Sequence, residues 1–325
     1  MSKETERRKP GLASVHEGRE KRLEGRFSRP TGRAYLTIVV GLVASLVIYW
    51  VVSSRELGSR KSALLSKQRA DEATIGAEWA PLRDRIEKFV VDRSGAWSDD
   101  KVVEPDAKAW ASRVESGIYL RLRIEDAKSP EAIRKAAQDS ARDAFTGCML
   151  RTENKALAEG VADAGAFPDQ PWNLRQAYDA TRILTPEWVA QVKDADDSLR
   201  LRIFEQQYDK AERDEIPRAI DIVKKADFFL LVLDEPADDP GAVKPRFTDG
   251  GIDSAEEAIQ IAPHWARVHV LDLKKDQEIL RVRARADGAF VMAAGKPVTD
   301  DETLDAMKRQ VNNCALAQNV RSAIQ

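Results

Sequence analysis

The segment DEPADDP contains the carboxylates best placed for chemistry, and they are Asp234, Glu235, Asp238 and Asp239. They follow the apolar run ADFFLLVL, and Asp249 and Asp253 come next in the chain. Carboxylates at a strand end can form an active site or bind calcium, because hard cations prefer oxygen ligands. The spacing does not match an EF-hand loop, and a solvated acidic turn has the same composition. We predict no metal ion or cofactor, and this loop is the one cation-site hypothesis.

The two histidines beyond the N-terminal region, His264 and His269, are five residues apart in a predicted strand. Side chains at that spacing point to opposite faces of a sheet, so we do not expect a shared metal site. The motifs GxSxG, GxxxxGK[ST], HExxH and CxxC are absent from the sequence. Catalytic groups need not be adjacent in sequence, so an enzyme is not excluded, but a non-catalytic role is favoured.

The only two cysteines, Cys148 and Cys314, each fall on the apolar stripe of a predicted helix. Buried free thiols would fit this pattern, because cysteine packs as a small hydrophobe. An exported domain would instead permit a disulfide between them. We therefore predict a Cys148–Cys314 bridge if the domain lies in an oxidising compartment.

An apolar segment from Ala34 to Val52 is long enough to span a bilayer as a helix, at about 1.5 Å per residue. Tyr35, Tyr49 and Trp50 lie near its ends, where aromatic rings anchor at the head groups. The segment exceeds a signal-peptide core and has no convincing cleavage site, so we predict an uncleaved signal anchor. Within it, Thr37, Gly41 and Ser45 form a small-residue line, and a homodimer through this line is a hypothesis.

Charge sets the predicted orientation. Residues 1–33 contain ten Lys or Arg residues, residues 53–69 contain five, and the whole chain has a net charge of −2. The positive-inside bias therefore places the N-terminus in the cytoplasm and exports the rest across the inner membrane. The exported part is acidic, which argues against nucleic acid as a partner. The basic tail, 1–33, is predicted to be disordered.

Residues 53–95 are predicted to form a helical stalk. Ile75, Trp79, Leu82, Ile86 and Phe89 make an apolar seam, which fits either a coiled coil or a helix packed on the folded domain. Proline is unfavourable inside a helix, so we predict a break near Ala80 and a second helix from Pro81.

Residues 96–325 are predicted to form an α+β domain with an antiparallel or mixed sheet packed by helices. Three features of the sequence carry this prediction. SGIYLRLRIEDA alternates like a strand with one buried face, ADFFLLVLDE suits a central strand, and ARVHVLDL with EILRVRARA reads as a hairpin. Helices are predicted from Pro130 through Cys148, from Thr185 to about Glu212, over IPRAIDIVKKA, and from TDDE onward, with Leu304, Met307, Val311 and Cys314 on one face. The stretch Ala158–Pro171 is predicted to be a loop.

The order of anchor, stalk and domain predicts a non-catalytic scaffold that presents its exported domain to other envelope proteins in the periplasm. The alternative is an anchored hydrolase or cation-dependent enzyme that uses the Asp234–Asp239 loop.

Overall fold

A computed structural model describes residues 32–111, 117–138, 140, 144–150, 171–239, 241, 243, 247–248, 251–252, 255–288 and 301–325. The chain divides into two units, Met1–Ser62 and Ala63–Gln325. The basic tail, most of the predicted loop Ala158–Pro171, Asp249, Asp253 and Thr299 lie outside the described residues.

The described helices are α1 Gly32–Asp71, α2 Ala77–Arg93, α3 Pro105–Ala111, α4 Pro130–Ala137, α5 Phe145–Leu150, α6 Arg175–Thr181, α7 Pro186–Lys193, α8 Ser198–Lys210, α9 Ile216–Lys225, α10 Ala255–Ile259 and α11 Asp301–Ile324. The strands are β1 Val102–Val103, β2 Gly117–Arg123, β3 Trp172–Asn173, β4 Phe228–Ala237, β5 Phe247–Thr248, β6 Gly251–Ile252, β7 His264–Asp272 and β8 Gln277–Ala286. Strands β5 and β6 form a separate two-stranded sheet.

The first unit contains one helix, within α1, that is long and apolar enough to span a membrane. None of the residues in its apolar 18-residue window is buried, so it is unlike the core helix of a globular domain. All the large apolar side chains from Tyr35 to Val52 except Val51 are exposed.

The predicted helix break near Ala80 is wrong. Pro81 lies inside α2, and a π-helical segment, Glu72–Gly76, joins α1 to α2 without interruption. A second π segment, Ala211–Glu215, joins α8 to α9 just before Pro217. A proline ring clashes with the carbonyl four residues earlier, and a locally widened turn relieves such crowding while the helix continues.

The seam on α2 packs on the folded domain. Trp79, Ile86 and Phe89 are buried in the second unit, which begins at Ala63. Of the two readings of the stalk, the structure therefore favours packing over a coiled coil for residues 77–93.

A mixed six-stranded sheet, in the order β1-β8-β7-β4-β2-β3, organises the second unit. Strand β4 lies parallel to β2 and antiparallel to β7, and β7 with β8 forms the predicted hairpin. The predicted central strand and the mixed α+β class are thus confirmed. The hairpin turn contains Asp276, whose φ of 53° is accessible to Asp at modest cost.

Helices cover both faces of this sheet. The disulfide face carries Tyr119, Val232 and Val268 and packs against α5 and α11. The α2 face carries Phe229, whose ring meets Phe89 of α2 at 5.8 Å between centroids. The prediction that β2 has one solvent-facing side is therefore wrong, because Arg121 and Tyr119 on that side are buried.

Two long helices of the prediction are each divided in two. The helix from Pro130 ends at Ala137, and α5 begins separately at Phe145. The helix from Pro186 ends at Lys193, because Asp197 caps a new helix by accepting from the Arg200 N–H. The new start changes the helical phase. Leu199, whose spacing from Trp188, Val192 and Ala195 would place it on the apolar face of one continuous helix, is therefore 68% exposed.

The predicted final helix is confirmed, but most of the residues that it buries are not the ones predicted. Leu316, Ala317, Val320 and Ile324 pack into the core of the disulfide face. Cys314 is buried as predicted, whereas Met307 is exposed.

Candidate functional site

The four carboxylates of DEPADDP do not converge on one site. Asp234 and Glu235 are adjacent in β4, so strand alternation sends them to opposite faces of the sheet. Asp238 pairs with Arg285, and Asp239 accepts a hydrogen bond from the Gly241 N–H at 2.8 Å. Among the described residues, no three His, Cys, Asp or Glu side chains are placed to hold a metal ion.

On the disulfide face, Asp234 is the centre of a buried ionic cluster. Arg121 donates to its two carboxylate oxygens at 2.7 and 2.9 Å, and His264 Nε2 lies 3.1 Å from Oδ1. Arg121 Nη1 also donates to Asn313 of α11. Burial alone would raise the pKa of Asp234, but the charges of Arg121 and His264 outweigh it and lower the pKa to about 2. The cluster joins β2, β4, β7 and α11.

On the α2 face, Glu235 accepts from Arg267 at 2.6 Å and from Arg283 at 2.6 Å. Burial opposes ionisation of Glu235, but these two hydrogen bonds lower its pKa below its usual value. A carboxylate held by two guanidinium groups has few lone pairs left for a cation.

His269 lies on this same face, opposite to His264 as predicted. Its Nδ1 is 2.8 Å from Glu278, and its Nε2 has no hydrogen-bond partner in the described part of the chain. Glu278 also accepts hydrogen bonds from Arg93 and Arg281. Burial lowers the pKa of His269, and the two neighbouring arginines lower it further against the opposing effect of Glu278.

Cys148 and Cys314 are joined by a disulfide, with a Cα–Cα distance of 5.1 Å. The bridge links α5 to α11, and Arg321 of α11 also donates to the carbonyl oxygens of Cys148 and Met149. Both contacts fix α11 over the sheet.

The small-residue line of the apolar helix is exposed along α1. Ser45 donates to the Gly41 carbonyl at 2.8 Å, and a Cβ on Gly41 would have no atom within 4 Å. Thr37 lies one turn earlier on the same helix face.

A cleft of about 370 Å³ lies where the first π segment and α2 meet α4 and α6. Its volume is within the range of small-ligand pockets. The lining residues are Glu72, Gly76, Ala77, Trp79, Ala80, Arg83, Arg134, Gln138, Tyr178, Thr181, Leu184 and Thr185. π-Helical insertions are frequently found at functional sites, which makes this cleft the strongest candidate site in the described chain.

A buried carboxylate organises one end of the cleft. Arg134 donates to both oxygens of Glu87 at 2.9 and 2.8 Å, and Arg83 Nε lies 3.7 Å from the same group. The Tyr178 hydroxyl is 3.4 Å from Glu87 Oε1. Burial and then the charge of Glu87 raise the pKa of Tyr178, so this hydroxyl stays protonated and donates. The pKa of Arg134 is raised by its hydrogen bond to Glu87.

The two ends of the cleft differ in charge. Glu72 lies at one end, where Gln68 donates to its carboxylate at 3.2 Å. Arg83 is eleven positions further along the same helical run, and Arg134 lies beside it because both contact Glu87, so these two arginines define the other end. Between the two ends, the wall of the cleft consists of the small residues Gly76, Ala77 and Ala80, which leave room for a ligand.

Sequence reasoning identified none of these residues as functional. The cleft residues come from helices that are distant in sequence, and Glu87 binds Arg134 across 47 positions. The one available signal was the interruption of the apolar seam by Gly76 and Pro81, which mark the π segment that opens the cleft.

No family model, no curated protein and no solved structure matches this chain.

Proposed function

We propose that the protein is a membrane-anchored, non-catalytic scaffold whose α+β domain binds other proteins of the cell envelope. The observation that carries this proposal is the apolar helix of α1, which is long enough to span a membrane and has no buried residue in its apolar window. Exposed apolar surface of that extent requires a lipid or protein environment. The second unit has its own core, so the chain joins an anchor to a folded domain.

The proposed orientation has the N-terminus in the cytoplasm and the domain outside the inner membrane. The excess of Lys and Arg before the helix supports this orientation. The Cys148–Cys314 disulfide supports it independently, because disulfides persist mainly in oxidising compartments.

The catalytic alternative has less support. An anchored enzyme using the Asp234–Asp239 loop would need carboxylates that share a site, but Asp234 and Glu235 lie on opposite faces and are paired with arginines. The cleft offers binding groups, and its one buried carboxylate, Glu87, is held by Arg134.

The anchor is tested by alkaline extraction of membranes containing the full chain. We expect the chain to stay in the membrane pellet and a Val40→Lys, Val43→Lys, Leu46→Lys variant to be released. Cleavage of the domain by protease added outside the inner membrane, with the N-terminus protected, would establish the orientation. Release of the unaltered chain by alkali would contradict anchoring.

The scaffold role is tested by in-cell crosslinking of the full chain in its native membrane. We expect recurrent links from the domain to one or two envelope proteins, read by mass spectrometry. Robust turnover by the purified protein, abolished by Asp238→Ala while the domain stays folded, would instead establish the enzyme.

A further inference from the structure

We propose that the cleft beside the first π segment binds an extended segment of a partner protein, with a basic residue at Glu72 and an acidic residue at Arg83 and Arg134. This inference rests on the proposed binding function and deepens it by assigning the surface and the chemistry of the partner. The occupant is a peptide segment of about five residues, in the length range that a strand-like chain covers at roughly 3.3 Å per residue.

The length follows from the helix that forms one wall. Glu72 and Arg83 both line the cleft, and they are separated by eleven positions along a continuous helical run. At about 1.5 Å per residue the two positions are roughly 16 Å apart along the axis. A free amino acid is too short to reach both ends, whereas five extended residues match this span.

The charges give the segment a direction. Glu72 is exposed at one end, and its carboxylate can accept more than the single hydrogen bond from Gln68. At the other end, Arg134 donates hydrogen bonds from Nε and Nη2 to Glu87. Arg83 donates from Nε and Nη2 to Asp84. The Nη1 groups of both arginines have no hydrogen-bond partner among the described residues, so donors remain for a carboxylate.

Glu87 keeps these donors in place. Its bidentate pair with Arg134 fixes the plane of that guanidinium, and a pre-oriented donor loses less conformational entropy on binding. Gln138, which also lines the cleft, makes no side-chain hydrogen bond within the described part of the chain. Its carboxamide can therefore donate to, or accept from, the backbone of the bound segment.

The middle of the cleft suits a peptide backbone with small or apolar side chains. Ala77, Ala80 and Leu184 supply apolar surface, and Gly76 leaves the wall open. A Cβ built on Gly76 would meet only Glu72 Cγ, at 3.7 Å. A larger side chain at Gly76 would thus occupy the cleft without a steric conflict at its first atom.

The test uses the full chain in its native membrane, with the photocrosslinker p-benzoylphenylalanine in place of Leu184. We expect a protein adduct whose linked peptide contains an acidic and a basic residue about four or five positions apart. Glu72→Lys and Arg83→Glu should each reduce the adduct by about fivefold, the effect of reversing one partly exposed ion pair. Gly76→Leu should remove most of the adduct. The control Gly95→Leu, where a Cβ meets no atom within 4 Å and which does not line the cleft, should not change it.

Each variant must retain the Cys148–Cys314 disulfide on a non-reducing gel, which shows that the domain has folded. An adduct with lipid or a small molecule, or a protein adduct that ignores both charge reversals, would overturn the assignment. If position 184 gives no protein adduct while exposed positions such as Gln206 or Gln310 do, the scaffold role stands and the cleft assignment fails. If no exposed position gives one, both fail.

Discussion

Arg121 donates through Nε and Nη2 to both carboxylate oxygens of Asp234, and each residue is only 1% exposed. The pair lies between the parallel strands β2 and β4, at neighbouring positions on the disulfide face. Two such charges are tolerable in a core because each is hydrogen-bonded to the other and to a further group, His264 or Asn313.

Removing one charge of this pair should strongly destabilise the domain. Asp234→Asn leaves Arg121 buried without its counter-charge, and we expect a loss of about 3–5 kcal/mol in the free energy of unfolding. Urea unfolding of the full chain in detergent measures this loss. Asp238→Asn removes the partly exposed pair with Arg285 and should cost at most about 1 kcal/mol. Equal effects of the two substitutions would contradict the role of burial.

Acid should reveal the same pair. The pKa of Asp234 is about 2 in the folded chain and near 3.8 when the group is unperturbed. A lowered pKa stabilises the folded state above the unfolded value, and this contribution is lost as the pH falls through about 4 to 2. Its size is about 2 kcal/mol. Between pH 5 and 2, the free energy of unfolding should therefore decrease less steeply with falling pH for Asp234→Asn than for the unaltered chain. Equal slopes for the two proteins would refute the assignment.

His269 should give a pH dependence near neutrality. Its pKa is lowered from 6.5 in the folded chain, mainly by burial, so the unfolded chain binds the proton more readily. The stabilisation by neutral His269 is complete above pH 6.5 and decreases as the pH falls below that value. His269→Phe, beside Phe89 and Trp97, should reduce the stability change between pH 7.5 and 5. The measurement is thermal unfolding at both pH values, and identical changes in the two proteins would exclude His269 as the source.

Reduction of the disulfide should weaken the domain without dismantling α11. The bridge closes a loop of 166 residues, and the chain-entropy model assigns about 5 kcal/mol to a loop of that length. Cys148→Ser, Cys314→Ser should lower the urea midpoint by a corresponding amount, as should reductant added to the unaltered chain. Reductant should have no effect on the double variant, and an equal effect there would point to another cause.

The exposed small-residue line on the apolar part of α1 predicts self-association. Gly41→Leu would separate two helices that approach through Thr37, Gly41 and Ser45, without a clash in the single helix. We expect crosslinked dimer in native membranes to decrease by about threefold. Val43→Leu, which faces away from this line, is the matched control. Dimer that persists in Gly41→Leu at the control level would exclude this contact.

The sheet was predictable because its strands have strong local patterns. The mostly apolar segment 226–235 predicts a buried central strand, and the two alternating segments around Lys274–Gln277 predict the hairpin. The alternation in β2 was misleading for a physical reason. An arginine in a strand usually marks solvent, but Arg121 is buried because Asp234, 113 positions away, neutralises it.

The helices and the cleft were less predictable. Apolar spacing continues across Asp197 in the sequence, so only the capping contact to Arg200 reveals that α8 starts anew. The cleft depends on the first π segment, which forms within a packed helix and has no distinctive local sequence pattern. Its basic end is complete only after α4 has packed against α2 and brought Arg134 to Glu87.

The position of α11 has a consequence for the order of folding. This last helix supplies Leu316, Ala317, Val320 and Ile324 to the core of the disulfide face and also carries Cys314. Until those residues have been synthesised, one face of the sheet lacks its cover. The growing chain must therefore pass through a stage in which its strands need protection from aggregation, and a chaperone would act in that interval.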